Sequence, residues 1–452
     1  MAIRSRKTVK RRKKGTALRR APVATASDRS RSPATLAQLP DEALLDAVQR
    51  QTFRYFWDGA HPGSGLALDR RTDREPSPEQ RDKVALGGSG FGVMAIIVAA
   101  ERGWITREAA VQRMTTILDA LFRATCYHGV FPHFMNGNTG ETIRFSRKDD
   151  GADLVETSLL FMGLLCARQY FDQDNPAESA VRGRIGQLWD DVEWNWHTQG
   201  GREVLYWHWS PNNGWSMDHE IRGWNECLIT YVLAASSRKY AIDPVVYHRG
   251  FAEGRGFLNG KQYYGIDLPL GMPYGGPLFF AHYSFCGLDP RGLRDRYADY
   301  WELNVRHVQI NRAHCIANPY RQPGYGESCW GLTASDDPDG YSAHAPDNDN
   351  GTISPTAALA SMPYAPEEVL KVTRHLLSRH GTKLWGRYGF RDAFCERLGW
   401  YAGTYLAIDQ GPIVVMMENH RTGLLWKLFM SVPEIQAGLR KLGFESPRLR
   451  AG

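Results

Sequence analysis

The chain has 452 residues, of which 42% are hydrophobic and 23% charged, a composition that buries a large core and excludes a wholly disordered protein. The net charge of +6 comes from the N terminus, where the first 31 residues hold 12 Lys or Arg and one acid. Residues 32–452 carry 43 bases against 48 acids. We therefore predict a basic, disordered arm at 1–37 and one folded domain at 38–452, with nucleic acid disfavoured as a partner beyond weak contact by the arm.

Several common classes of protein and site do not fit the sequence. No run of about 18 apolar residues occurs, so no membrane partner is expected. No secretory signal follows the basic arm, which predicts a cytoplasmic protein, or a periplasmic one if the start is misassigned. Seven scattered cysteines form no C-x-x-C pair, and the nucleotide and zinc motifs are missing. Residues 347–351 resemble a calcium loop but lack its terminal Glu. We expect neither a metal nor a cofactor.

Along the chain, amphipathic helical stretches alternate with connections rich in Gly, Pro and aromatic residues, and hardly any strand pattern is visible. No repeat of 20–50 residues appears, which disfavours a solenoid. The pattern predicts one closed helical assembly. The expected helices span 41–58, 89–102, 107–124, 153–171, 178–192, 224–236, 293–312, 353–361, 366–380, 413–424 and 432–442.

Tryptophan is concentrated in one connection: seven of the 14 tryptophans lie between Trp189 and Trp224. Trp207 and Trp209 flank His208 there. Indole rings edged by polar groups suit the C–H faces and hydroxyls of sugars. Stacked bases would also fit, but the acidic body disfavours a phosphate-rich ligand.

Cleavage of a glycosidic bond needs a proton donor and a second carboxylate. Asp153 and Glu156 are three residues apart and share one helical face. The same spacing before an apolar run also predicts a capping box at a helix start. Both interpretations stay open.

Two further acids stand in apolar surroundings. Burial beside Trp224 would raise the pKa of Glu226 and keep it protonated, although a first-turn Glu stabilising the helix dipole is the alternative. Asp409 precedes a helix expected to start at Pro412, whose dipole would keep the carboxylate ionised; an ordinary turn Asp is the alternative. His133, His208 and His282 lie in loops where each either bonds sugar hydroxyls or has a structural role.

The chain resembles the bacterial glucoamylase-like domain proteins, a group that includes glycoside hydrolase family 144, whose members act on β-1,2-glucan. The resemblance covers about 400 residues and includes Trp-Asn-Glu at 224–226 and Ile-Asp-Gln-Gly-Pro at 408–412. Further matching segments are 64–70, 88–92, 101–104, 128–131, 153–157, 318–319, 330–334, 338–341, 355–359, 388–394 and 418–423. One departure is His420, where the family commonly has Tyr.

The resemblance implies an all-α fold, an (α/α)6 toroid of about twelve helices with long active-site loops. It also implies an inverting hydrolase of β-glucosidic bonds, most plausibly β-1,2, with Glu226 as general acid, Asp409 activating water, and Asp153 and Glu156 in the acidic part of the cleft. Expected substrate-binding residues are Asp69, Arg70, His133, Trp207, Trp209, Asn225, His282, Trp330, Tyr341, Gln410 and Glu418. The alternatives are a lyase or epimerase on the same scaffold and a non-catalytic glycan-binding protein.

Overall fold

The computed structural model describes residues 31–74 and 77–449. Helices of other pitch, among them Val246–Ala252, Leu278–Ala281 and Ser284–Cys286, supplement the α-helices. The α-helices are α1 (Pro33–Leu36), α2 (Asp41–Trp57), α3 (Pro78–Arg81), α4 (Leu86–Glu101), α5 (Arg107–Arg123), α6 (Leu154–Tyr170), α7 (Pro176–Asp191), α8 (Leu228–Ser236), α9 (Tyr300–Ala317), α10 (Pro355–Leu359), α11 (Pro366–His375), α12 (Gly381–Leu384), α13 (Ala407–Arg421), α14 (Leu424–Met430) and α15 (Pro433–Lys441).

Outer and inner helices alternate along the chain and form two rings. The outer ring comprises α2, α5, α7, Val246–Ala252, α9 and α11, and the inner ring comprises α4, α6, α8, the two short helices of 278–286, α10 and α13. Inner helices such as α4 and α6 are apolar on nearly every side, so they are buried all round. The rings close because α13 packs against both α2 and α4. The predicted (α/α)6 toroid is confirmed.

The spacing of α4 and α6 depends on two glycines. A Cβ on Gly90 would lie 2.1 Å from the carbonyl oxygen of Leu159, and one on Gly163 would lie 2.1 Å from that of Gly90. Such contacts are impossible without moving the backbones apart. The glycines therefore allow the two inner helices to touch, which brings the loops that lead into them side by side.

Among the described residues, sixteen short strands, which the sequence pattern does not reveal, lie mostly in the connections between helices. Two pairings matter for the site, because β1 joins Arg70 to Leu406 on β16 and β5 joins Asp153 to His208 on β6. The strands are β1 (Arg70–Thr72), β2 (Lys83–Ala85), β3 (Phe134–Asn136), β4 (Thr142–Ile143), β5 (Ala152–Asp153), β6 (His208–Trp209), β7 (Leu258–Tyr263), β8 (Ile266–Leu270), β9 (Ala334–Asp337), β10 (Gly340–Ala343), β11 (Thr352–Ile353), β12 (Trp385–Gly386), β13 (Gly389–Phe390), β14 (Phe394–Cys395), β15 (Trp400–Tyr401) and β16 (Thr404–Leu406).

Three predicted helix boundaries are wrong. α13 begins at Ala407 rather than Pro412, which lies inside the helix. α9 begins at Tyr300 rather than 293, because the Asp299 side chain accepts hydrogen bonds from two backbone amides of its first turn. α8 begins at Leu228 rather than 224, which leaves Glu226 in the preceding turn.

The predicted arm at 1–37 also needs correction at its end. Residues 1–30 lie outside the described residues, but Pro33–Leu36 forms α1. Leu36 and Ala37 are buried, and the Ala37 carbonyl accepts a hydrogen bond from Arg374. The folded part therefore begins by residue 33. No helix among the described residues is both long and apolar enough to span a bilayer.

Candidate active site

The candidate residues collect where the inner helices begin. The backbone of Ala407, at the start of α13, donates to the Asp69 carbonyl, and that of Leu154, at the start of α6, donates to the Trp207 carbonyl. The start of α4 is joined to α6, because the Gly87 amide donates to Glu156 Oε2 at 2.7 Å. The N-terminal ends of three inner helices and the loops around them thus form one cleft.

Glu226 lies in the turn that leads into α8, with a side chain that is only partly exposed. Burial raises the pKa of Glu226 to about 7, and the negative charges of Asp153 and Glu156 add to the effect. The backbone carbonyl of Glu226 accepts a hydrogen bond from Ser284 Oγ at 2.5 Å, which fixes the turn against the next inner segment. A carboxyl group with this pKa holds a proton in about half of the molecules at neutral pH.

Asp153 caps α6, as one of the two sequence interpretations predicts. Its Oδ1 accepts from the backbone amides of Val155 and Glu156 at 3.0 and 2.9 Å and from Trp207 Nε1 at 3.0 Å. The capping box is incomplete, because Glu156 bonds to the Gly87 amide instead of to Asp153. Asp153 is fully buried, and its place among the catalytic residues stays a prediction.

His133, which is partly exposed, and Glu156, which is buried, lie beside Asp153. Burial raises the pKa of Glu156 to about 7, although the nearby His133 opposes the shift. Burial lowers the pKa of His133, but the charges of Glu156 and Asp153 outweigh it and raise the value to about 9. His133 Nδ1 is 3.1 Å from Asp153 Oδ2, and its Nε2 is 3.9 Å from Glu156 Oε1. His133 is therefore an imidazolium that pairs with two acids.

His133, Asp149 and Asp153 also bring possible metal ligands within 4.8 Å of one another. His208 joins them, with Nδ1 3.5 Å from Asp149 Oδ2 and 3.8 Å from Asp153 Oδ2. Burial lowers the pKa of His208, but Asp149 and Asp153 raise it above its usual range. The direction of both shifts favours protonated imidazoles, which offset the negative charge of the two aspartates. That the protein uses no metal stays a prediction.

Asp409 belongs to the first turn of α13, and its carboxyl group is buried against that of Asp392. Burial, Asp392 and Asp336 raise the pKa of Asp409 well above its usual range. Burial and a second carboxylate therefore oppose the helix dipole, whose effect is about 1 kcal/mol, and the expectation that the dipole keeps Asp409 ionised stays a prediction.

The predicted residues Asp69 and Arg70 lie beside this acidic pair. Arg70 Nη1 is 3.0 Å from Asp336 Oδ1, and Asp69 Oδ2 is 3.1 Å from Lys83 Nζ. The Thr404 hydroxyl donates to the other oxygen of Asp336. Both predicted residues are partly exposed, so they can contact a ligand while remaining paired.

Tyr283 is a neighbour of both Asp409 and Glu226. Burial raises the pKa of Tyr283 far above its usual range, and the negative charges of Asp409, Glu226 and Glu156 add to the effect. Sequence reasoning missed Tyr283 together with Asp149, Asp336 and Asp392. The segments 338–341 and 388–394 were clues to the last two, since these segments are among those that resemble the family and one of them contains Asp392.

The tryptophan cluster divides between core and cleft. Trp189, Trp194 and Trp224 are buried among other aromatic rings. Trp207 and Trp209 are partly exposed, so a sugar ring can reach them. One face of Trp207 already stacks on His219, at 4.9 Å between ring centroids.

Four expected substrate-binding residues are enclosed by protein, and these predictions are wrong. Trp330 and Glu418 are fully buried, and Glu418 pairs with Arg102 at 2.6 Å. His282 Nε2 and the Ser361 hydroxyl hydrogen-bond at 2.9 Å, and burial lowers the pKa of His282 to about 3. The Gln410 amide donates to the Phe390 carbonyl. Each side chain is enclosed by protein, although Trp330 Nε1 and Gln410 Oε1 have no hydrogen-bond partner among the described residues.

Two other candidates remain accessible. Asn225 is partly exposed, although its Oδ1 accepts from the Cys227 amide at 2.9 Å and so holds the turn around Glu226. Tyr341 is 53% exposed on the hairpin formed by β9 and β10. A substrate contact by either residue stays a prediction.

Comparison with known proteins assigns this chain to a family. A family model described as "Putative glucoamylase" matches residues 218–433, a range that holds both Glu226 and Asp409. The crystal structure of a protein from Bacteroides uniformis, described as a putative glucoamylase, is 59% identical with a TM-score of 0.89; the match covers 91% of this chain and 100% of that one. The chain belongs to the glucoamylase-like family.

Two further members of the glucoamylase-like family carry more specific descriptions. An endo-β-1,2-glucanase from Chitinophaga pinensis, solved with sophorotriose and glucose, is 53% identical over 91% of this chain and 100% of its own, with a TM-score of 0.89. An exo β-1,2-glucooligosaccharide sophorohydrolase (non-reducing end) from Parabacteroides distasonis is 47% identical over 90% of this chain. The chain spans 59% of the length of that enzyme.

Proposed function

We propose that this chain is an inverting glycoside hydrolase that cleaves β-1,2-glucosidic bonds in a glucan or its oligosaccharides. The observation that carries the proposal is a glutamic acid with a pKa near neutrality, Glu226, which shares the neighbour Tyr283 with a second buried acid, Asp409. The β-1,2 linkage is the one named for the relatives from Chitinophaga pinensis and Parabacteroides distasonis.

Glu226 is suited to the role of general acid. Its proton passes to the oxygen that joins two sugar units, so that the leaving sugar departs as a neutral alcohol. The acids that raise its pKa, Asp153 and Glu156, are held by the start of α6 and by His133. The group therefore keeps its proton at neutral pH by burial and charge, as catalysis by an acid requires.

Asp409 is suited to activating the attacking water from the opposite side. Asp153 and Glu156 are the acids whose charges act on Glu226, and Asp392 and Asp336 are the main ones for Asp409. The phenol of Tyr283 lies near both groups. Retaining enzymes keep their two carboxyl groups about 5 Å apart, whereas inverting enzymes leave roughly 6.5–9.5 Å for water, which is the separation that the proposed inversion requires.

The charges of the cleft argue against a lyase acting on uronates. Such a substrate is anionic and needs a positive site, but carboxyl groups outnumber the cations of Arg70, Lys83 and the histidines. The acids are Asp69, Asp149, Asp153, Glu156, Glu226, Asp336, Asp392 and Asp409. A neutral glucan avoids this repulsion.

Chromatography of the products tests the proposed function. β-1,2-Glucan should release reducing oligosaccharides, whereas β-1,3-glucan and starch should not. Only one kind of short product indicates release from a chain end, and a series of lengths indicates internal cleavage. NMR of the first product should show the α-anomer, because inversion of a β-linkage yields it. Calorimetric binding without any new reducing ends would contradict hydrolysis, and an unsaturated product would indicate a lyase.

A further inference from the structure

Asp392 is a buried acid held in place by backbone groups. It lies between β13 and β14, and its Oδ2 accepts from the Asp336 amide at 2.7 Å. Its own carbonyl accepts from the Ser354 hydroxyl at 2.7 Å, and its amide donates to the Thr404 carbonyl at 3.0 Å. The carboxyl group therefore cannot turn away, and its second oxygen, Oδ1, is buried without a donor among the described residues.

The Asp409 carboxyl group is the close, electrostatically coupled neighbour of Asp392, and its Oδ2 is likewise buried without a hydrogen-bond partner among the residues that the structure describes. Ionised carboxylates only accept hydrogen bonds, so a bond between two of them needs a proton on one. The contact therefore implies that the pair holds one proton and one negative charge.

The surrounding charges retain that proton. Burial and the negative charge of Asp336 raise the pKa of Asp392 to about 7. Arg70 is the cation that faces the pair, but it is already 3.0 Å from Asp336 Oδ1. The charged or titratable groups that face the two carboxyls are Asp336, Arg70, Tyr283 and Tyr341. Both tyrosines are neutral, so none of these groups can replace the shared proton.

We propose that Asp392 is a positioning residue that shares one proton with Asp409, so that the two carboxyl groups accept the proton of the attacking water as a single unit. This inference rests on the proposed hydrolysis. Water oxygen bonds to the anomeric carbon while the glycosidic bond breaks and Glu226 protonates the departing oxygen. The water proton passes to the charged oxygen of the pair, which then holds two protons. The cycle closes when the pair releases one proton to solvent and Glu226 regains one.

The variant Asp392→Asn tests the shared proton. The asparagine amide donates to Asp409 and stabilises it as an anion, so the base becomes weaker. In the full chain acting on β-1,2-glucan, kcat should fall at least tenfold at neutral pH with KM within about twofold. The acidic limb of the kcat/KM profile should move down by at least about one pH unit. Asp392→Glu, which keeps a carboxyl group, should restore part of the activity.

Asp337→Asn is the matched control, because Asp337 is another buried aspartate of the same region and pairs with Asn350 and His344 instead. Its profile should follow that of the unmodified protein. An unchanged kcat and acidic limb in folded Asp392→Asn would overturn the proposal.

A second measurement does not need activity. In infrared spectra at neutral pH, subtraction of each variant from the unmodified protein should show that one protonated carboxyl band is lost in Asp409→Asn and in Asp392→Asn, while the bands of Glu226 and Glu156 remain. If Asp392→Asn does not fold, the Asp409→Asn spectrum decides alone, and the loss of no band there overturns the proposal. If no glucan is cleaved, or if Glu226→Gln stays active, the proposed function fails while the infrared result still decides whether the pair shares a proton.

Discussion

Replacing Glu226 by glutamine separates the role of its side chain as a proton donor from its contribution to the stability of the fold. Glutamine has the same shape and keeps an oxygen for the backbone contact of the side chain, which is to the amide of residue 226 itself. Since no ion pair is broken, the free energy of unfolding should change by less than about 1 kcal/mol. The variant does lose the proton that the leaving oxygen needs.

The size of the loss follows from the role and the pKa. Removal of a general acid typically costs about 10²–10⁴-fold in rate. Burial raises the pKa of Glu226 to about 7, so about half of the molecules carry the proton at pH 7 and about a tenth at pH 8. The unmodified enzyme should therefore lose kcat/KM about tenfold for each pH unit above 7.

The assay is the release of reducing ends from β-1,2-glucan between pH 5 and 9, together with thermal unfolding of each protein. Glu302→Gln is the matched control, because Glu302 is exposed on α9 and should leave both the rate and the unfolding unchanged. A Glu226→Gln rate within tenfold of the unmodified enzyme at pH 6 would refute the assignment. A pH profile that stays flat from 6 to 8 would do the same.

Three predictions concern stability. Gly90→Ala forces α4 and α6 apart and should lower the unfolding free energy by about 3 kcal/mol or more. The control Gly183→Ala, at an exposed position of α7, should raise the unfolding free energy by about 0.5–1 kcal/mol. Equal denaturant midpoints for the two variants would contradict the close contact of α4 and α6. Arg102→Ala leaves buried Glu418 without its cation and should cost about 3–5 kcal/mol, with activity per folded molecule unchanged; lost activity in folded protein would contradict a purely structural pair. The pKa of His133 is about 9 in the folded protein, above its unfolded value of 6.5, so the stability that protonated His133 contributes is complete below pH 6.5 and is lost as pH rises through 9. His133→Asn should therefore reduce the dependence of the unfolding free energy on pH between 6.5 and 9. An unchanged pH dependence would contradict a protonated His133 in the folded protein.

The helices and two of the site's acids could be read from the sequence because both leave local patterns. α5 has an amphipathic period and starts at residue 107 as expected, after Thr106, whose side chain accepts from the Ala109 amide. The segment of α6 is apolar nearly throughout, as expected for an inner helix. Glu226 stood out because an acid next to an apolar run is unusual. Such signals extend over one or two helical turns.

Burial divided the expected binding residues in a way that composition does not show. Trp207 and Trp330 are the same residue type and both were expected to bind substrate, yet Trp207 is partly exposed and Trp330 is fully enclosed. Gln410 is next to Asp409 in sequence, but its side chain bonds to the Phe390 carbonyl, on β13. Which side of a segment faces the cleft depends on how the helix pairs pack, and no local pattern specifies that.

The sequence by itself determined the alternation of helices, the inner helices that are apolar on every side, and the presence of acids at helix starts, since these follow from periodicity and local propensity. Only the tertiary structure decided that Asp392 lies against Asp409, and that Asp336, on another loop, adds its charge to both. Asp336 and Asp392 belong to different helix connections and Asp409 to α13, so the three acids come together only when the ring closes. Their pKa values depend on this proximity, because desolvation and the repulsion of like charges depend on distance in space rather than along the chain.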